Sequence, residues 1–211
     1  MKPTVAAGRL IPILTALALA VGLEAAAQPP REYAADQIIR SREGTVTGKI
    51  AVSPDRYRLE MALEGQRQVM IARFDKRVVW MLMPEERMYV EMPLAAEAGE
   101  ALSGRDPTQK VERQLVGSET VSGHPTKKYK VTVTGKDGTY VGYQWLAQDL
   151  GELPIRWEDE QGTGRVELRN IKVGRQPADL FEVPAGFQKL AMPGGLPGMP
   201  GGQGLPGMPK Q

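Results

Sequence analysis

The sequence predicts an α+β domain that is mostly antiparallel β, arranged as an open half-barrel or strongly curved sheet covered by one or two helices. Three observations predict this class: turn-forming residues recur at short intervals, the segments between them alternate apolar and polar side chains, and helix-like segments are few. The turn signals include Ser53-Pro54-Asp55, Asp75-Lys76 and Asp137-Gly138. We predict strands near residues 45–52, 56–63, 67–74, 77–83, 87–92, 111–121, 126–135, 139–147, 153–159 and 164–173.

The segment from 56 to 63 shows the alternation most clearly. Tyr57, Leu59 and Met61 are apolar, and Arg58 and Glu60 fall between them. Successive side chains of a strand point to opposite faces, so the three apolar residues share one face. Aromatic and aliphatic residues alternate in the same way in the later strands, and the sequence therefore predicts one consistently apolar face.

Two segments have some helical character. The segment from 33 to 43, YAADQIIRSRE, is compatible with either a helix or a strand. The segment from 93 to 104 has the Ala, Leu and Glu content of a short helix, and Gly104 would end it. One or two such helices over one face of the sheet would complete a single domain.

The first 27 residues have the pattern of a signal peptide. Lys2 and Arg9 precede an apolar run from Leu10 to Leu23, and Ala25 to Ala27 provide small residues for cleavage. The run is shorter than the roughly 20 residues that a membrane-spanning helix needs. We therefore expect export to the periplasm and no membrane-spanning segment after cleavage.

The rest of the chain divides into a sheet domain, residues 28–190, and a tail, residues 191–211. The tail contains the glycine-first triplets GLP GMP GGQ GLP GMP, which we interpret as a disordered, polyproline-like segment. The chain has no cysteine, so we expect neither a disulfide nor a cysteine-linked lipid anchor.

Composition argues against two function classes. A formal net charge of +2 gives no concentrated basic surface, so we expect no nucleic-acid partner. The chain has no cysteine and a single histidine, His124, which lies in the turn-like stretch SGHPT. We therefore expect no enzyme activity, no catalytic residue and no cofactor.

Residues 78 to 93, VVWMLMPEERMYVEMP, are unusually rich in apolar side chains. Every position from Val78 to Met83 is apolar, which predicts a strand that is covered on both faces. The cover is either ordinary core or, in part, an apolar ligand such as an acyl chain. The residues that we predict to line a ligand-binding concave face are Tyr57, Leu59, Met61, Ile71, Trp80, Leu82, Tyr89, Tyr143, Trp145 and Trp157.

The methionines of this stretch allow a lesser alternative, a copper site. Met81 and Met83 would point to the same face about 7 Å apart, and Met88 and Met92 follow closely. Thioethers are ligands that Cu(I) prefers. Flexible methionines are also common in adaptable apolar surfaces, and both interpretations stay open here.

Several segments together resemble the periplasmic lipoprotein-carrier superfamily typified by LolA and LolB. They are GTVTGKIAVSPDRYRLEM, QVMIARFDKRVVWMLMPEERMYVEMP, GSETVSGHPTKKYKV and PADLFEVPAGFQKL, within residues 33 to 190. The resemblance implies an open barrel plugged by helices, whose concave face holds acyl chains or lipidated proteins. No functional residue of that family maps onto this chain position by position.

The sequence leaves an alternative function open, in which the interior is filled. The protein would then be an envelope sensor or interaction module with another envelope protein as its partner. Arg73 and Asp75, next to a predicted turn, are expected to form a salt bridge at the sheet rim.

Overall fold

The computed structural model describes residues 29–63, 65–94, 109–135 and 138–190. The predicted signal peptide, most of the predicted helix at 93–104, Asp137 of the predicted hairpin turn and the tail 191–211 lie outside these residues. The described residues form twelve strands and two short 3₁₀ helices, Gln148–Leu150 and Ala178–Phe181. The strands are β1 Tyr33–Ser41, β2 Gly44–Ser53, β3 Arg56–Leu63, β4 Gln66–Arg73, β5 Val78–Met83, β6 Met88–Pro93, β7 Lys110–Val121, β8 His124–Gly135, β9 Gly138–Ala147, β10 Leu153–Asp159, β11 Arg165–Val173 and β12 Gln188–Lys189.

All twelve strands belong to one unclosed, curved sheet with the order β12-β6-β5-β4-β3-β2-β1-β11-β10-β9-β8-β7. Neighbouring strands are antiparallel except β12, which runs parallel to β6. Chain neighbours pair through short turns from β1 to β6 and again from β7 to β11. β1 joins these two series because it pairs with both β2 and β11.

The ten predicted strands are confirmed, with boundaries within two residues of those expected. The ambiguous segment at 33–43 contains a strand, β1. Its residues Tyr33, Ala35, Gln37 and Ile39 are buried in strict alternation, which is the pattern of a strand in the middle of a sheet.

The described residues do not include the helices that the predicted α+β class places over the sheet. Within the described ranges the structure contains no α-helix, and the curved antiparallel sheet is the part of the prediction that is confirmed. The second predicted helix falls largely on residues outside the described ranges.

Two hydrophobic clusters hold the described residues together. The first cluster joins strands from both halves of the sheet and includes Tyr33, Ile50, Leu59, Trp145 and Leu168. Burial there raises the pKa of Tyr33 to about 12. The second cluster consists of Ala51, Val69, Ile71, Trp80, Leu82 and Phe181.

Candidate functional site

The strand registers place a group of methionines on one face of β3 to β6. Met70 is the cross-strand partner of Leu59 on one side and of Met81 on the other, so these three side chains share a face. Met83 and Met88 are direct partners across the β5–β6 pair. Because alternate residues of a strand point the same way, all six methionines of the described residues lie on this side, which we call the methionine face: Met61, Met70, Met81, Met83, Met88 and Met92.

The methionine face is half-buried. Each of its six methionines is intermediate in exposure. Met61 and Met70 pack against the first cluster, whereas neither cluster of described residues includes Met81, Met83, Met88 or Met92. Gln68, the partner of Met61, places a half-buried polar group at one end of this face. The arrangement is an apolar surface with flexible side chains that continues into the first cluster through Leu59.

The opposite face of the same strands is covered by the chain's own C-terminal segment, residues 177–190. Phe181 is 1% exposed and packs in the second cluster with Ile71 and Trp80. The segment ends as β12, where the Leu190 N–H donates to the Tyr89 carbonyl oxygen at 2.8 Å. The chain itself therefore covers this face. The sequence predicted that the strand at 78–83 is covered on both faces, but not which segment covers it.

Arg73 fixes the C-terminal segment to the sheet. It is 4% exposed, and its guanidinium donates to Asp75 and to the Phe181 carbonyl oxygen, the latter at 3.2 Å. It also pairs with Glu182. Arg58 donates to the carbonyl oxygen of the preceding residue, Leu180, at 3.0 Å. Two arginines thus satisfy backbone acceptors of a segment that has little regular structure of its own.

The ten residues predicted to line one concave face do not share a face, and their role in ligand binding stays a prediction. Register places Ile71, Trp80, Leu82 and Tyr89 on the side covered by Phe181, opposite Leu59. In the first cluster, Leu59 and Trp145 are buried, and Tyr57, Met61 and Tyr143 pack against them. Trp157 stacks on Tyr140 with ring centroids 5.6 Å apart.

Charged side chains as well as apolar residues surround Trp145. Its indole N–H donates to Glu119 at 2.6 Å, and Lys128 and Arg156 lie over its ring at 4.7 and 5.4 Å from the centroid. Such cation–π contacts stabilise a partly desolvated ring. Trp145 is thus held by the protein's own groups, and its role in ligand binding stays a prediction.

Met70 was not among the predicted lining residues, because Ile71 was expected on that face instead. The signal that distinguishes the two is the spacing between β3 and β4 in the sequence, which sets their register. The register pairs Leu63 with Gln66, and counting back from that pair brings Leu59 opposite Met70.

A comparison with protein families bears on this architecture. Residues 37–155 match the family described as "Domain of unknown function (DUF4412)". The chain belongs to the DUF4412 family. The match extends from β1 to β10 and therefore includes the whole methionine face, but not the C-terminal segment that covers the opposite side. No curated protein matches the chain significantly.

Several solved structures are similar to this DUF4412 chain. An uncharacterized conserved protein from Thermus thermophilus is 15% identical, with a TM-score of 0.53. The alignment covers 78% of this chain and 90% of the Thermus thermophilus chain. A LolA superfamily protein from Nitrosomonas europaea is 12% identical, with a TM-score of 0.38 and coverage of 74% and 92%. The lipoprotein LppX from Mycobacterium tuberculosis is 14% identical, with a TM-score of 0.40 and coverage of 64% and 83%.

The predicted resemblance to the LolA superfamily is thus found again among the similar structures. In the described part of the DUF4412 chain, no helix has the length and apolar character that crossing a membrane requires.

Proposed function

We propose that this protein is an exported carrier that holds an acyl chain or another lipid-like ligand against the methionine face. The observation that carries the proposal is the placement of six half-buried methionines on one face of β3 to β6, whose other face is already covered by Phe181 and its neighbours. The apolar surface left for a ligand is therefore the methionine side.

The chemistry of methionine supports an apolar ligand of variable shape. The side chain is unbranched and polarizable, so a group of methionines adapts to the ligand that it contacts. Leu59 and Met70 connect this surface to the first cluster, so a bound chain would extend an existing apolar interior. Gln68 provides a polar group at one end, where a ligand head group would find a hydrogen-bonding partner.

The periplasm is the compartment that we propose. The apolar run from Leu10 to Leu23 and the small residues from Ala25 to Ala27 support export, and the cargo of such a carrier would be a lipid or a lipidated protein.

Native mass spectrometry of the full chain purified from an envelope fraction tests the proposal. We expect a fraction of the protein to carry an adduct whose mass corresponds to an acyl-containing lipid, and lipid extraction to recover that molecule. A chain that is always ligand-free and that also fails to take up a fluorescent fatty acid would contradict the proposal.

An exposed edge favours a second candidate function, a protein-interaction module. β7 is an edge strand of the sheet, and its Leu115 and Val116 are 54% and 46% exposed. Exposed strand edges pair readily with other chains. Cross-linking in the envelope should then capture one partner that the L115K/V116K variant loses. If the variant captures the same proteins as the parent chain, this candidate is excluded.

A further inference from the structure

We infer that the end of the β5–β6 hairpin is a binding site for a soft monovalent metal ion, Cu(I) or its analogue Ag(I), with Met81, Met83 and Met88 as thioether ligands. This inference is independent of the proposed lipid carrier, because it requires three sulfur atoms at one place rather than an extended apolar surface.

The geometry brings the three sulfur atoms within reach of one another. Met83 and Met88 are direct cross-strand partners, so their Cβ atoms are about 4.5 to 5.5 Å apart. Met81 lies two residues before Met83 on the same strand, about 7 Å away and on the same face. Each side chain has three rotatable bonds, so the three thioethers can converge on one ion above the sheet.

The hairpin is held in place from several sides. Its turn is closed by a hydrogen bond from the Arg87 N–H to the Pro84 carbonyl oxygen at 3.3 Å, and the Gln188 N–H donates to the Arg87 carbonyl oxygen at 2.8 Å. On the opposite face, Leu82 is 2% exposed within the second cluster. The backbone that carries the methionines is thus fixed, and only the side chains must move to bind an ion.

The available ligands determine which metal ion binds. Thioether ligands select Cu(I), whereas Zn²⁺ requires thiolate, imidazole or carboxylate groups. The sequence has no cysteine. Across the ranges that the structure describes, no group of three or more His, Cys, Asp or Glu side chains is placed to hold a metal ion. The site therefore favours a soft monovalent ion over Zn²⁺ or Cu²⁺.

Titration of the full chain with Ag(I), and anaerobically with Cu(I), tests the inference. We expect one saturable site in the parent chain and its loss in M81L/M83L/M88L, which keeps the side-chain volumes nearly constant. The matched control is M192L/M199L/M208L, which removes three tail methionines and should keep the site. Uptake of a fluorescent fatty acid is measured separately, on the parent chain and on the tail variant, so failure of this site and failure of the lipid proposal are distinguishable.

A measurement on the unaltered chain avoids dependence on the folding of the variants. With ¹³C-labelled methionine methyl groups, Ag(I) should shift the Met81, Met83 and Met88 signals and leave Met61 unchanged. Absence of a saturable site in the parent chain, or shifts confined to the tail methionines, would overturn the inference.

Discussion

Arg73 binds Asp75 through two parallel hydrogen bonds, from Nε to Oδ1 at 2.8 Å and from Nη2 to Oδ2 at 2.6 Å. The sequence predicts this pair at the sheet rim, and the pair is confirmed. Arg73 is nevertheless almost fully buried and also donates to the Phe181 carbonyl oxygen, so the pair belongs to the attachment of the C-terminal segment. That attachment covers one face of β3 to β6 and leaves the methionine face for other partners.

Replacement of Arg73 by alanine should loosen this attachment. The change leaves Asp75 and the Phe181 carbonyl oxygen without their buried donor, and we expect the free energy of unfolding to fall by about 3 kcal/mol. Urea denaturation measures the loss, and limited proteolysis should show earlier cleavage within residues 174–190. The control is Arg56→Ala, which breaks the more exposed pair with Asp55 and should cost less than about 1 kcal/mol. Equal losses in the two variants would contradict this role of Arg73.

Phe181 is the buried side chain of the C-terminal segment, residues 177–190. Phe181→Ala removes a fully buried ring from the second cluster, and the free energy of unfolding should fall by about 3 to 5 kcal/mol. Phe187→Ala, at a half-buried position of the same segment, should cost clearly less. Chemical denaturation of both variants checks the order. A loss below about 1 kcal/mol for Phe181→Ala would mean that the segment is not an integral cover of the sheet.

Glu167 makes the stability sensitive to acid. Burial acts to raise the pKa of this carboxyl, but hydrogen bonds from Arg169 and Ser122 and the charge of Arg156 outweigh burial, so the pKa is lowered. A carboxylate with a lowered pKa in the folded state stabilises the protein above its unfolded-state pKa of about 4.3, and this contribution disappears as the pH falls through the folded-state value.

The free energy of unfolding should therefore decrease as the pH is lowered from about 5 to about 3, and Glu167→Gln should flatten that decrease. Urea denaturation across this pH range measures both slopes. Glu86→Gln, in an exposed turn, is the matched control and should follow the parent chain. The interpretation fails if Glu167→Gln shows the same pH slope as the parent.

Most of the strands could be predicted from the sequence because turn residues bound them and their side chains alternate in polarity. The ambiguity of the segment from 33 to 43 had a physical reason: Ala34, Ala35, Ile38 and Ile39 are apolar in adjacent pairs, a spacing that a helix also shows. The segment forms a strand because it pairs with β2 on one side and with β11 on the other.

The face on which each side chain lies could not be predicted in the same way. Val78 to Met83 is apolar at every position, so alternation alone does not tell which residues share a face with Leu59. Trp80 is buried because Phe181, far later in the chain, packs against it. Such a contact between distant parts of the chain leaves no periodic pattern in the local sequence.

Binding of a fluorescent fatty acid to the full chain tests the proposed carrier function most directly. We compare the parent chain with M81K/M92K, which puts two charges on the methionine face, and with T45K/T47K, which puts two charges on exposed positions of β2. The proposal predicts saturable binding that M81K/M92K weakens by about tenfold or more, since burying a charge beside an acyl chain is costly, while T45K/T47K binds as the parent does. No saturable binding by the parent chain, or equal binding by all three proteins, would contradict it.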